Sequence, residues 1–317
     1  FNHVGPLSWS KNNSKIYFTS NRSASWEYEF RNSEIYSVDI NDKKINSLTD
    51  RNGPDFSPKV SPNGKYIAYL GFTDRVQAYQ NTQLLIMDSN GNNKRVLSYN
   101  IDSSISSFYW SSDNKGIYFT YDKFGDTKIA FLNLDGNSKD LANNLGGNSI
   151  GRPYGGGSFS VSKNGVIAYT NTSYNHPSEL TVVNGKKTNQ ITNLSYELLE
   201  NRTLGKVEEV WYKSSFDNRD IQGWIVYPPN YNSEKEYPFL VENHGGPISN
   251  YGSRFSAEVQ LFAAAGYIVF YPNPRGSTSY GEEFANLLHH NYPAEDYLDV
   301  MDGVDYCIKN GIANENM

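Results

Sequence analysis

The sequence predicts an all-β propeller followed by an α/β domain. Three observations predict it. A unit of about 50 residues recurs through the first two thirds of the chain. After Asn193 the pattern changes to strands alternating with helices. A His-Gly-Gly-Pro tetrapeptide, 244–247, stands just after an apolar run.

The repeat is anchored by Ser10, Ser61, Ser111 and Ser162, spaced 51, 50 and 51 residues apart. An apolar triplet follows three of them: Ile16-Tyr17-Phe18, Ile67-Ala68-Tyr69 and Ile117-Tyr118-Phe119. The fourth unit has a turn one residue shorter. Each unit continues with a second apolar run, a polar turn such as Ser89-Asn90-Gly91, and a short closing strand. Four short antiparallel strands per unit make a propeller blade. The Ser-Pro-Asn-Gly turn at 61–64 favours the WD-like, Tol-type blade over the kelch blade. Residues 1–193 are therefore expected to form four blades. The connections between second and third strands, 20–33, 71–82, 121–127 and 171–178, are expected as polar loops on one face. They carry Glu27, Glu29, Arg31, Asp74, Arg75 and Asp122.

Residues 194–205 read as a linker. A strand pair is expected at 207–215 and 221–227, stopped by Pro228-Pro229. A buried strand at 239–241 leads into His244. A helix fits 256–265, with Phe255, Val259 and Phe262 on one face and Gly266 at its end. Another buried strand, 267–271, is followed by two helices. The second starts near Pro293 and shows the stripe Tyr297, Met301, Val304, Ile308. Strands alternating with helices predict a parallel sheet over 206–317.

Composition narrows the function. Net charge is −6 over 317 residues, which excludes a strongly basic nucleic-acid footprint. The single cysteine, Cys307, excludes an internal disulfide and a cysteine-based zinc cluster. His289-His290 lacks a His-Glu-x-x-His context, so no metal is expected. No apolar run is long enough for a transmembrane helix. The chain begins at Phe1 with no charged start and apolar run. Its compartment stays open between cytoplasm, periplasm and exterior.

A His-Gly-Gly loop after a buried strand lets backbone N–H groups approach a substrate closely, as in the oxyanion hole of α/β-hydrolases. With Ile221-Gln222-Gly223-Trp224, Asn243-His244-Gly245-Gly246-Pro247, Ala265-Gly266-Tyr267, Asn273-Pro274-Arg275-Gly276-Ser277 and Asp296-Tyr297, the chain resembles the prolyl oligopeptidase family of serine peptidases. It is most similar to the acylaminoacyl-peptidase and dipeptidyl-peptidase-like members. The resemblance implies a Ser-His-Asp peptidase whose hydrolase domain is capped by a propeller, without metal or organic cofactor. Gly246 would supply an oxyanion-hole N–H. His244 would order that loop and is not the triad histidine. Arg275 would be a structural ion-pair residue. Glu27 or Glu29 would hold the free amino terminus of a short peptide. Neither a nucleic-acid partner nor a membrane span is expected, and a homo-oligomer stays open.

The family's triad runs Ser, Asp, His, with the serine in a Gly-x-Ser-x-Gly elbow. The reading assigns no serine of 1–317 to such an elbow and expects it beyond Met317. Residues 206–317 would then be the first half of an α/β-hydrolase domain, and the four blades part of the seven or eight the family uses. The alternatives are a non-catalytic propeller protein with a decayed hydrolase domain, and an esterase on the same fold.

Overall fold

The computed structural model describes residues 5–147 and 149–314. The first sheet contains β1 (Ser8–Trp9), β2 (Lys15–Ser20), β3 (Glu34–Asp39) and β4 (Ile45–Ser47). The second holds β5 (Asp55–Val60), β6 (Tyr66–Gly71), β7 (Gln83–Asp88) and β8 (Arg95–Val96). The third holds β9 (Ile105–Trp110), β10 (Gly116–Lys123), β11 (Asp126–Asn133) and β12 (Ser138–Ala142). The fourth holds β13 (Phe159–Val161), β14 (Ile167–Ser173), β15 (His176–Asn184) and β16 (Lys187–Gln190). In each, strand neighbours in sequence are neighbours in the sheet, as in a propeller blade.

The recurring serine has a local cause. Ser61 Oγ donates to Asn63 Oδ1 at 2.8 Å and accepts the Tyr66 N–H at 3.0 Å. Ser10 and Ser111 repeat this with Asn12 and Asp113, and with the N–H groups of Lys15 and Gly116. Ser162 accepts from Val166, one residue nearer, which fits the shorter fourth turn. Each serine thus closes its own hairpin between first and second strands.

The chain divides into two compact units. One contains the residues up to Tyr121, with Ile129–Leu141 and Val161–Val166; the other contains Asp122–Lys128, Ala142–Ser160 and everything from Ile167 onward. This differs from a division at 194–205. The tip of the third hairpin and nearly all of the fourth sheet group with the α/β sheet.

In the first unit, strand alternation explains why β6 and β7 are apolar over Ile67–Leu70 and Leu84–Met87. Ile67, Tyr69, Leu85 and Met87 face Tyr17 and Ile35 of the first sheet. Ala68, Leu70, Leu84 and Ile86 face Ile105, Phe108, Ile117 and Phe119 of the third. Both faces of the second sheet are core there, so period two leaves no polar position between the ends of these central strands.

In the second unit α1 (Tyr196–Leu199) precedes β17 (Val207–Lys213), β18 (Asp220–Val226) and β19 (Phe239–Val241). Next come α2 (Ala257–Ala264), β20 (Ile268–Asn273), α3 (Glu282–Ala285) and α4 (Glu295–Lys309). The sheet order is β17-β18-β20-β19. Only β19 and β20 are parallel; β17–β18 and β18–β20 are antiparallel, so the sheet is mixed rather than parallel. Trp224, Val226, Val269 and Tyr271 pack with Val259 and Ala263 of α2 on one face. Val210, Tyr212, Ile225 and Phe270 pack with Cys307 of α4 on the other.

Two further expectations need correction. The α4 face that is buried is Asp299, Gly303 and Cys307, whereas Tyr297 is 63% exposed and Met301 37%. A polar and a small residue are inward because Asp299 binds Arg275 and Gly303 abuts the Phe270 ring. The connections expected over 121–127 and 171–178 are two-residue turns, since β10 runs to Lys123 and β14 to Ser173. Phe124 and Gly125 both take positive φ, +52° and +73°, which suits a tight hairpin. Asp122 therefore lies in a strand, and only the first two sheets carry long loops there.

Candidate functional site

Two loops leave the carboxyl ends of the parallel strands β19 and β20. One carries 242–250, the other 274–281. Carboxyl ends of adjacent parallel strands are where open α/β sheets place their ligands. Gly246 has φ +136°, and a Cβ there would stand 3.0 Å from the Ile248 nitrogen. Around Gly245 the space is open. Among the described residues, no hydrogen bond uses the Gly246 N–H. This backbone donor is available to a ligand.

His244 ties the two loops together. Its Nε2 lies 2.9 Å from Ser277 Oγ and its Nδ1 lies 3.3 Å from the Gly245 carbonyl. The ring stands edge to face with Tyr251 at 5.3 Å. Burial pushes the imidazole below its ordinary pKa, against a weaker upward pull from the Gly245 carbonyl. The Gly245 N–H donates to the Tyr154 hydroxyl at 3.1 Å.

Below this lies a charged group that sequence reasoning missed. Arg152 reaches Glu242 Oε1 at 2.9 Å with Nη1 and Glu258 Oε2 at 3.0 Å with Nε. Tyr251 also donates to Glu242, at 3.0 Å. The Glu258 carboxylate, hydrogen-bonded by Arg152, is held below its usual range. These residues are 90 to 106 positions apart in sequence, so no local pattern announces them.

Arg275 is a structural ion pair, as expected. Its Nη2 and Nε each lie 2.9 Å from Asp299, and its backbone N–H donates to the same carboxylate at 2.8 Å. Ser214 and Asp217 accept from Nη2 as well, at 2.8 and 3.2 Å. Burial is the largest single influence and opposes this charge, but the hydrogen bonds and charges of Asp299 and Asp217 together outweigh it and push the guanidinium further up.

Glu27 and Glu29 lie in the exposed loop between β2 and β3, in the other unit. Glu29 accepts from Ser23 and Ser25 hydroxyls, both at 2.8 Å, and from Asn32 at 3.3 Å. Those side-chain bonds hold its carboxyl below the usual range. Glu27 is exposed on the same turn.

One Gly-x-Ser-x-Gly pattern does occur within the chain, at 147–151, and the sequence reading passes over Ser149. Its surroundings are not an elbow. Among the described residues, no strand leads into Ser149 and no helix follows it directly. Ser149 Oγ donates to the Arg152 carbonyl at 2.9 Å. The next two carbonyls cap α2: Ile150 accepts the Ala257 N–H at 2.8 Å and Gly151 the Glu258 N–H at 3.0 Å. Among the described residues, no group of three or more His, Cys, Asp or Glu could hold a metal. No helix there is long and apolar enough to cross a membrane.

Comparison with known proteins bears on both ends of the chain. Residues 253–317 match the prolyl oligopeptidase family, and residues 2–73 match the dipeptidyl peptidase IV N-terminal region. The "Uncharacterized peptidase YuxL" of Bacillus subtilis is 32% identical over 63% of this chain and 29% of its own length. The dipeptidyl-peptidase 5 of Porphyromonas gingivalis is 26% identical over 95% of this chain and 44% of its own. The chain thus spans less than half the length of these curated relatives. An acylaminoacyl peptidase solved with Z-Gly-Gly-Phe-chloromethyl ketone has a TM-score of 0.80 at 20% identity, covering 99% of this chain and 46% of that one. A puromycin hydrolase has a TM-score of 0.68 at 16% identity, covering 98% and 47%. At such identities these likenesses show a shared fold.

Proposed function

We infer that this chain, a prolyl oligopeptidase-family sequence by the likeness of both its ends, is part of a serine peptidase that cleaves short peptides beneath a β-propeller. The observation that carries the reading is the loop His244–Pro247 at the carboxyl end of β19, with an open Gly246 N–H. In acyl transfer the tetrahedral intermediate needs N–H donors placed where its oxyanion forms, and the open Gly246 N–H supports that role. His244 orders the loop from the side. Residues 206–317 then form the first half of an α/β-hydrolase domain, and the four repeat sheets are blades of its propeller. A propeller over the site admits only short or unfolded chains. Glu27 and Glu29 are the carboxylates for a substrate's free amine; Glu27 is the better candidate, because Glu29 already accepts three bonds within its own loop.

Within 1–317 Ser149 has the pattern of a nucleophile without its setting. Nucleophile, base and orienting acid act as a unit. A fluorophosphonate probe should therefore leave 1–317 unlabelled, and a longer protein carrying this chain should label at one serine outside it. Stoichiometric labelling of Ser149 would overturn this reading. No labelling in the longer protein would favour the non-catalytic alternative. Paired ester and peptide substrates separate a peptidase from an esterase.

A further inference from the structure

The oxyanion loop begins with two glycines, exposed and without side chains to fix them. What precedes them is better held. The Ser277 hydroxyl, fully buried, has one proton and lies 2.6 Å from the Pro274 carbonyl, which can only accept. The proton goes there. The 2.9 Å contact between Ser277 Oγ and His244 Nε2 then calls for the hydrogen on Nε2; in a neutral ring the longer 3.3 Å approach of Nδ1 to the Gly245 carbonyl is then a contact and not a hydrogen bond.

Ser277 is itself pinned from three sides. Its own N–H closes a turn onto Pro274 O at 3.1 Å, and Gly276 N–H bonds Phe284 O at 3.0 Å. Thr278 N–H bonds Ser249 O at 2.8 Å, and its hydroxyl bonds Asn250 Oδ1 at 2.7 Å. Ser279 holds a left-handed backbone, φ +85°, and is clamped by the hairpin turn: Phe124 N–H to its carbonyl at 2.9 Å and Gly125 N–H to its hydroxyl at 2.7 Å. The clamp fixes a strained residue two positions from Ser277.

Resting on the function above, we propose that Ser277 is a positioning residue for the oxyanion donor. It holds His244 as the Nε2–H tautomer in one ring orientation, and so anchors the start of the Gly245-Gly246 turn. The third-sheet hairpin turn at 124–125 backs this tether.

The test uses 15N-histidine-labelled full chain, whose five histidines are distinguished by a His244→Asn variant. Long-range 15N–1H spectra should show His244 neutral and protonated at Nε2. Protonation at Nδ1 would overturn the proposal with no Ser277 variant needed. Ser277→Ala should release His244 to a mixture of tautomers, and Ser277→Thr, which keeps the hydroxyl, should restore much of the single form. In the peptidase, Ser277→Ala should lower kcat about tenfold with KM little changed, less than the loss from deleting an oxyanion donor outright. Unchanged tautomer and kcat in Ser277→Ala would overturn it. A protein with no peptidase activity would sink the function above, while the spectra would still decide the tether.

Discussion

Glu34 opens β3 with only 9% of its surface exposed, and its Oε2 has no hydrogen-bond partner. Asp55, 1% exposed, lies near it and is paired with Arg51. Burial, then the neighbouring Asp55 and Asp50 charges, push the Glu34 carboxyl from 4.5 up to about 7, against a restraining bond from Thr49. In the unfolded chain the group ionises near its ordinary value, so between those limits the folded state binds more protons. Stability must fall as pH rises through that window, and the loss is complete above the folded value. From 4.5 to about 7, the full effect is about 3 kcal/mol. Glu34→Gln removes the charge, keeps the shape and offers an amide donor toward the Asp55 side. The variant should match the unmodified protein near pH 4.5 and exceed it at pH 8 by up to about 3 kcal/mol. Urea midpoints measured at half-unit pH steps give the curve. A variant that is less stable at pH 8, or a difference that does not change with pH, would refute the reasoning.

Two further outcomes follow from local geometry. Ser61→Ala should cost about 1 kcal/mol, because Tyr66 N–H and Asn63 lose their shared partner, and thermal melts should show the same direction for Ser111→Ala. Arg275→Met should cost about 3–5 kcal/mol by leaving Asp299 buried and uncompensated. Arg275→Met with Asp299→Leu should recover part of that, and a double variant as unstable as the single would contradict the pairing.

The repeat was legible because Ser10, Ser61, Ser111 and Ser162 do the same local work, so sequence distance and structural role coincide. The His244–Pro247 loop stands out for a related reason: a glycine pair after an apolar run is a local signal, although β19 itself is only half-buried. What escaped is non-local. Arg152 meets Glu242 and Glu258 only once the chain is folded, and nothing near Arg152 predicts either. Ser149 carries a catalytic spelling, yet the pattern works only between a strand and a helix, and its carbonyl neighbours cap a helix instead. The α4 stripe misled because periodicity counts apolar residues, whereas the inward face was chosen by an ion pair at Asp299 and close approach at Gly303. Strands alternating with helices predict parallel pairing, which holds for β19 and β20; the hairpin at 207–226 forces an antiparallel β17–β18 pair, and β18 is also antiparallel to β20.

The cap on α2 also bears on the order of assembly. The carbonyls of Ile150 and Gly151 receive the N–H groups of Ala257 and Glu258, made 107 residues later. A ribosome releases the acceptors well before the donors exist. They must wait, solvated, while the fourth sheet and the β17–β18 hairpin emerge. Closing a loop of that length costs roughly 4 kcal/mol of chain entropy. The first turn of α2 is therefore expected to form late, after its distant acceptors have been fixed in place, and the 242–250 loop that leads toward it would reach its final shape only then.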